Sequence, residues 1–206
     1  SWYVNPLLLT RGRLAFERGN AAQALDALLA CGRRQAAWEI PNPAWLPWRS
    51  AAALALDACR RPAEARALAA EELRLATAFG TPRATAIALR AQGLIEGGES
   101  GCRLLREAVE RLAPSEARLE HARALTDLGA ALRRANRRAE ARRELHDALA
   151  VARDCGAQRI AIRATAELRA AGSRPRSVPR SGIDALTPSE RRIVDMAAQD
   201  MSNPAI

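Results

Sequence analysis

The sequence predicts an all-α protein, an array of antiparallel helical hairpins, and three observations predict it. Apolar residues recur at three- and four-residue spacing through most of the chain. Alanine carries much of that apolar content, and aromatic residues supply only 3% of the composition. One pattern of glycine, alanine and leucine also returns along the chain with a polar turn between its halves.

The clearest copy spans Leu119 to Arg153. Its first helix, from Leu119 to Ala135, sets Ala122, Leu125, Leu128, Gly129 and Leu132 on one face. Asn136, Arg137 and Arg138 form the turn. The second helix places Ala141, Leu145, Ala148, Leu149 and Ala152 on an inner stripe, with Arg142, Arg143, Glu144 and Asp147 facing outward. A glycine inside a helix costs about 1 kcal/mol against alanine, so Gly129 signals a close approach of the partner helix.

The other elements follow in order. The chain opens at Ser1 without an initiator methionine, and Trp2, Tyr3 and Val4 lead into a helix at about Pro6, as expected of a piece of a longer protein. Gly12, Ala24 and Leu28 repeat the spacing of Gly129, Ala141 and Leu145 around the turn Arg18-Gly19-Asn20, predicting a first hairpin that fades near Trp38. Pro41 to Arg49 then reads as an extended connection whose Trp45 and Trp48 anchor it in the groove between hairpins, with an aromatic ligand-binding pair as the sharper alternative. A second hairpin covers Leu46 to Phe79, with Pro62 in the first turn of its second helix, where the missing N–H is not needed. In a third, Pro82 to Leu112, Leu89 and Gly93 match Leu125 and Gly129, while Leu105, Ala108 and Val109 match Leu145, Ala148 and Leu149. Its turn is shortened and reads as Gly97-Gly98-Glu99-Ser100-Gly101. A closing helix runs from Ala157 to Ala171.

This pattern resembles the tetratricopeptide repeat, a helix–turn–helix unit of about 34 residues, and the resemblance implies an α-solenoid over residues 1–172. Residues 173–185 are rich in proline, serine and arginine without an apolar period and read as a linker. Thr187, Pro188 and Glu190 then stand as N-cap, first helical residue and reciprocal cap of a new helix, with Ser202 capping the next. Leu186-Thr187-Pro188-Ser189-Glu190-Arg191-Arg192, followed by Ser202-Asn203 and Ile206, resembles the start of a LuxR-type helix-turn-helix, which makes 186–206 a truncated domain of that type. Asp200, Pro204 and Ala205 depart from the family pattern, and Ala205 removes an acidic arm worth about 1 kcal/mol to the cap at Ser202.

Repeats, linker and helix-turn-helix in that order are similar to the C-terminal portion of the large ATP-binding LuxR-family regulators, and Asn42–Arg49 and Leu119–Leu125 also resemble segments of that family. The resemblance implies a cytoplasmic bacterial transcription regulator with ATP bound by an upstream module and a protein or small-molecule effector on the repeat groove. Promoter DNA would be held by the complete helix-turn-helix, with Thr187, Ser202 and Asn203 close to its backbone. Such contacts position a protein without reading sequence, which falls to the second helix of the motif. The competing reading is a stand-alone tetratricopeptide-like scaffold for protein–protein interaction without DNA binding.

Composition narrows the classes further. The net charge is +9 and all 32 basic residues are arginine, which on amphipathic helices reads as solvated faces. Without lysine there is no Walker motif, and no carboxylate pair, Ser/His/Asp set or Cys/His set suggests an enzyme, so no catalytic, cofactor or metal residue is assigned. His121 and His146 lie on separate helices, and Cys31, Cys59, Cys102 and Cys155 lack any C-x-x-C pairing and read as reduced thiols within helix packing. No apolar run approaches membrane-span length and no signal peptide opens the chain.

Overall fold

A break of only three residues in the apolar period suffices to reverse the chain when the backbone closes the helix end on itself. At the first such break, the Asn20 N–H donates to the Ala15 carbonyl at 2.9 Å and the Gly19 N–H to the Phe16 carbonyl at 2.9 Å. The same pair of bonds joins Arg61 to Leu56 and Arg60 to Asp57, and again Arg137 to Leu132 and Asn136 to Arg133. This six-to-one and five-to-two pattern requires a left-handed residue after the helix, here Gly19, Arg60 and Asn136 at φ 82°, 62° and 60°. Glycine and asparagine reach that region readily, whereas Arg60 does so at a cost of roughly 1 kcal/mol.

The computed structural model describes residues 3–39 and 42–172, and among these it shows an all-α protein of nine helices without a strand. The helices are α1 (Val4–Glu17), α2 (Ala21–Ala36), α3 (Trp48–Ala58), α4 (Pro62–Phe79), α5 (Pro82–Glu96), α6 (Gly98–Leu112), α7 (Arg118–Arg134), α8 (Arg138–Asp154) and α9 (Gln158–Ala170). All belong to the first of the two units into which the chain divides, Ser1–Ser173. The linker and helix-turn-helix expectations at 173–185 and 186–206 lie outside the described residues, as does Pro41.

Each helix packs on its neighbours in the chain, and α1–α3, α3–α5, α5–α7 and α7–α9 also touch, so the odd-numbered helices form a row. The short connections make successive helices antiparallel. Within a pair, glycine faces leucine. A Cβ on Gly12 would lie 2.5 Å from Leu28 Cγ and 3.2 Å from the Ala24 carbonyl; one on Gly129 would lie 2.7 Å from Leu145 Cδ2 and 3.3 Å from the Ala141 carbonyl. The second pair fills the corresponding positions, seven before and nine after its left-handed residue, with Ala53 and Ala69, both fully buried. Two alanines thus replace one glycine and one leucine. In the third pair Gly93 would meet Leu105 at 3.0 Å, four residues out of the common spacing because a single residue, Gly97, joins α5 to α6.

Three expectations change. Gly98 to Gly101 belong to α6 and not to a loop, with Gly97 and Gly98 reversing the chain at φ 63° and 55°. Glu144 is buried, 8% exposed, instead of outward. It stands three residues after Ala141 and four before Ala148, inside the face that α8 turns to α7 and α9, and its carboxylate reaches sideways to Arg143 at 2.9 Å. Trp48 opens α3 and is not part of the preceding connection.

The glycine contacts set a specific expectation. Gly129→Ala gains helix propensity but must displace the fully buried Leu145, so it lowers stability by about 1–2 kcal/mol net. Urea unfolding of Gly129→Ala, Leu145→Ala and the double variant checks this: the double variant should lose clearly less than the sum of the two singles.

Candidate functional site

The row of odd helices shares one half-open space. A cavity of about 510 Å³ is lined by residues of α1, α3, α5, α7 and α9, with Leu28 of α2 behind them. Its apolar wall includes Phe16, Leu54, Ile87 and Ile160. Its polar lining is unusual: Arg13, Arg90, Arg123, Arg159 and Arg163 face only Glu17 and Glu120. Arg159 and Arg163 on α9 keep the exposed side chains the sequence predicts, whereas Arg90 on α5 departs from the solvated-face expectation, its side chain 19% exposed and turned to Asp127 of α7.

Asp127 organises this cluster. Its carboxylate, 1% exposed, accepts one hydrogen bond from Arg90 Nε on α5 and one from Arg163 Nη2 on α9, both at 2.5 Å. Burial pushes the carboxyl upward, but the two guanidiniums overcome it and hold the group below its ordinary value. Arg90 balances the same way, burial lowering it while Asp127 and Glu120 hold it raised. The remaining pairs are looser: Arg123 meets Glu120 at 2.8 Å, and Arg159 of α9 meets Glu17 of α1 at 3.5 Å with both side chains exposed. That last contact brings the first and last helices of the row together across the cavity mouth, beside the exposed Ile162.

Arg13 differs from the others. It makes no hydrogen bond or ion pair among the described residues. Burial lowers its proton affinity most; Glu120 opposes this from beyond salt-bridge distance, and Arg123, Arg90 and Arg83 add to the lowering. Nearby in the lining, Ser50 is 3% exposed and its Oγ is buried without a hydrogen-bond partner.

A second buried carboxylate shows what one cation at longer range does. Glu72 on α4 is 1% exposed and meets Arg49 at 3.4 Å through one oxygen, while Oε1 has no partner. Burial outweighs Arg49 here and raises the group to about 7.

The residues singled out in the sequence are placed elsewhere. Trp45 and Trp48 pack on the core of the first two pairs and neither lines the cavity. Trp48 covers Gly32, where a Cβ would lie 2.5 Å from Cζ2, and Arg49 stacks 4.8 Å over its ring. The segment before α3 is held by Gln35, which donates to the Leu46 carbonyl at 3.5 Å, and by Arg83, which donates to the Ala44 carbonyl at 3.1 Å. Thr187, Ser202 and Asn203 lie outside the described residues. All four cysteines are free, and Cys155 is exposed at the end of α8 instead of packed within it. Among the described residues no group of three or more His, Cys, Asp or Glu is arranged to hold a metal, and no helix is long and apolar enough to cross a membrane. The cavity residues were missed because they are far apart in sequence; the one local signal is Asp127 itself, an acid in the apolar run Ala122 to Leu132. No protein-family model matches the chain, and no curated protein matches it in sequence.

Two variants probe the buried carboxylates. Asp127→Asn leaves Arg90 and Arg163 without their counter-charge and should cost about 3 kcal/mol in urea unfolding at neutral pH. Asp127 stabilises the fold above its ordinary value of 3.8, and this is lost as pH falls below it. Glu72 acts oppositely: between 4.5 and about 7 the folded protein keeps a proton that the unfolded chain releases. Stability therefore falls by on the order of 3 kcal/mol as pH rises through that window, and Glu72→Gln should flatten this part of the pH–stability curve.

Proposed function

We propose that this chain is the sensing portion of a LuxR-type transcription regulator, in which a tetratricopeptide-like array holds an effector and the motif from Leu186 to Ile206 begins the DNA-binding end. The observation that carries the sensor reading is the cavity lined by all five odd helices. A ligand there touches every pair at once, so its affinity differs between two curvatures of the row, and that difference is what shifts a conformational equilibrium. Packing of each odd helix on the next supports the tetratricopeptide-like arrangement. The capped start at Thr187 and the Ser202-Asn203 continuation support the DNA-binding end. ATP binding belongs, on this reading, to an upstream module and to no residue of this chain.

At about 510 Å³ the cavity has the size of a small-molecule site, which favours a small effector over a protein scaffold. Small-molecule sites run from about 300 to 1,000 Å³.

The DNA-binding half has a direct test. In anisotropy titrations at fixed salt, the 206-residue chain should bind a cognate promoter no better than scrambled DNA, and a chain continuing into a complete helix-turn-helix should prefer the promoter by a hundredfold or more. A downstream coding sequence without a basic recognition helix would leave the scaffold reading in its place.

A further inference from the structure

We infer that the cavity between the odd helices binds a small amphipathic anion, with its oxyanion on Arg13 and its apolar body against Leu54, Ile87 and Ile160. This rests on the sensor reading above and names the chemistry of the effector. Three independent observations carry it.

The first is charge. Five arginines and two glutamates line the cavity, and the one further carboxylate in contact with the lining, Asp127, is already saturated by Arg90 and Arg163. Arg159 and Arg163 reach solvent, but Arg13, Arg90 and Arg123 are drawn partly out of it and repel one another more strongly than they would in water, and one added anion relieves that repulsion. The second is the state of Arg13, which has no ion pair or hydrogen bond among the described residues although its neighbours are paired. A planar guanidinium presents two parallel donors, the geometry that a carboxylate or phosphate accepts. The third is Ser50, whose buried and unpartnered Oγ lies in the same lining and can donate to the same oxyanion or to a polar group beside it. The apolar part of the wall then decides that the ligand is not a bare ion. Phe16 and Ile87 cannot be matched by inorganic phosphate, whereas an aliphatic or aromatic body covers them and gains about 25 cal/mol per Å² of apolar surface removed from water. Carboxylates and phosphate monoesters share this chemistry.

The test uses the full 206-residue chain, with thermal unfolding and calorimetric titration against five probes: octanoate, octyl phosphate, octanamide, inorganic phosphate and hexaglutamate. Octanoate or octyl phosphate should raise Tm by about 5 °C at a hundredfold excess over Kd, and the order of the two tells whether a carboxylate or a phosphate is the better fit. Octanamide, phosphate and hexaglutamate should bind at least tenfold more weakly. Arg13→Met should weaken the octyl anions tenfold or more without lowering the Tm of the protein alone, because the arginine it removes has no partner to lose. A lowered Tm in that variant with unchanged anion affinity would show a purely structural arginine and overturn the proposal. If Arg13→Met does not fold, Ser50→Ala decides: a threefold or greater weakening supports the proposal, and unchanged affinity overturns it. Equal binding of octanoate and octanamide would overturn the anion while leaving a small-molecule sensor standing. Preference for hexaglutamate would make the partner a peptide instead, and no shift with any probe would remove the sensor reading as well.

Discussion

The distance between paired helix axes is the constraint on which the rest of this structure depends. Gly12 against Leu28 and Gly129 against Leu145 let one helix lie on the other with no room for a Cβ at the glycine. Where the second pair uses Ala53 and Ala69, two methyl groups stand in place of one leucine side chain, and both alanines are fully buried. Ala24, Ala65 and Ala141 stand at one position relative to the turn in three pairs and are fully buried. Small residues at these points allow a chain with few aromatics to build a continuous core, because close axes replace bulk with contact area.

That closeness has an electrostatic consequence. With pairs stacked so tightly, α5 and α7 are packed on by their partners and by the neighbouring odd helices, so a charged residue on their buried faces must be answered within the protein. Asp127 is answered twice, by Arg90 from one side and Arg163 from the other, and the resulting bridge ties α5, α7 and α9 into one row. Glu72 is answered once and at longer range, and its protonation near neutrality is the result. The cavity belongs to the same logic. Small residues line it, Ala51, Ala91 and Ala166 among them, and the five arginines in its lining outnumber the two acids there.

Much of the architecture was legible in the chain because it is written in local spacing. The turn at Asn136, the glycine–leucine register and Pro62 at a first helical turn each depend on residues within about twenty positions of one another. Where spacing misled, the reason is equally physical. The glycine-rich run 97–101 looks like a loop, yet Gly97 and Gly98, both at positive φ, make the turn, and α6 already begins at Gly98. Glu144 looks like a surface acid, yet the buried sector of α8 is wider than an amphipathic stripe because it meets two helices and not one.

The sequence by itself determined the helical class, the order of the pairs and the points of closest approach, since backbone closure and small-residue spacing act over short stretches of chain. Only the tertiary structure decided which arginines matter. Arg13, Ser50, Arg90 and Arg163 share no local pattern, and in composition they cannot be told from the other polar residues of the helices. Their meeting depends on the stacking of odd helices, which brings residues about 150 positions apart to one wall and draws Arg13 and Arg90 largely out of the solvent that would otherwise screen their charge.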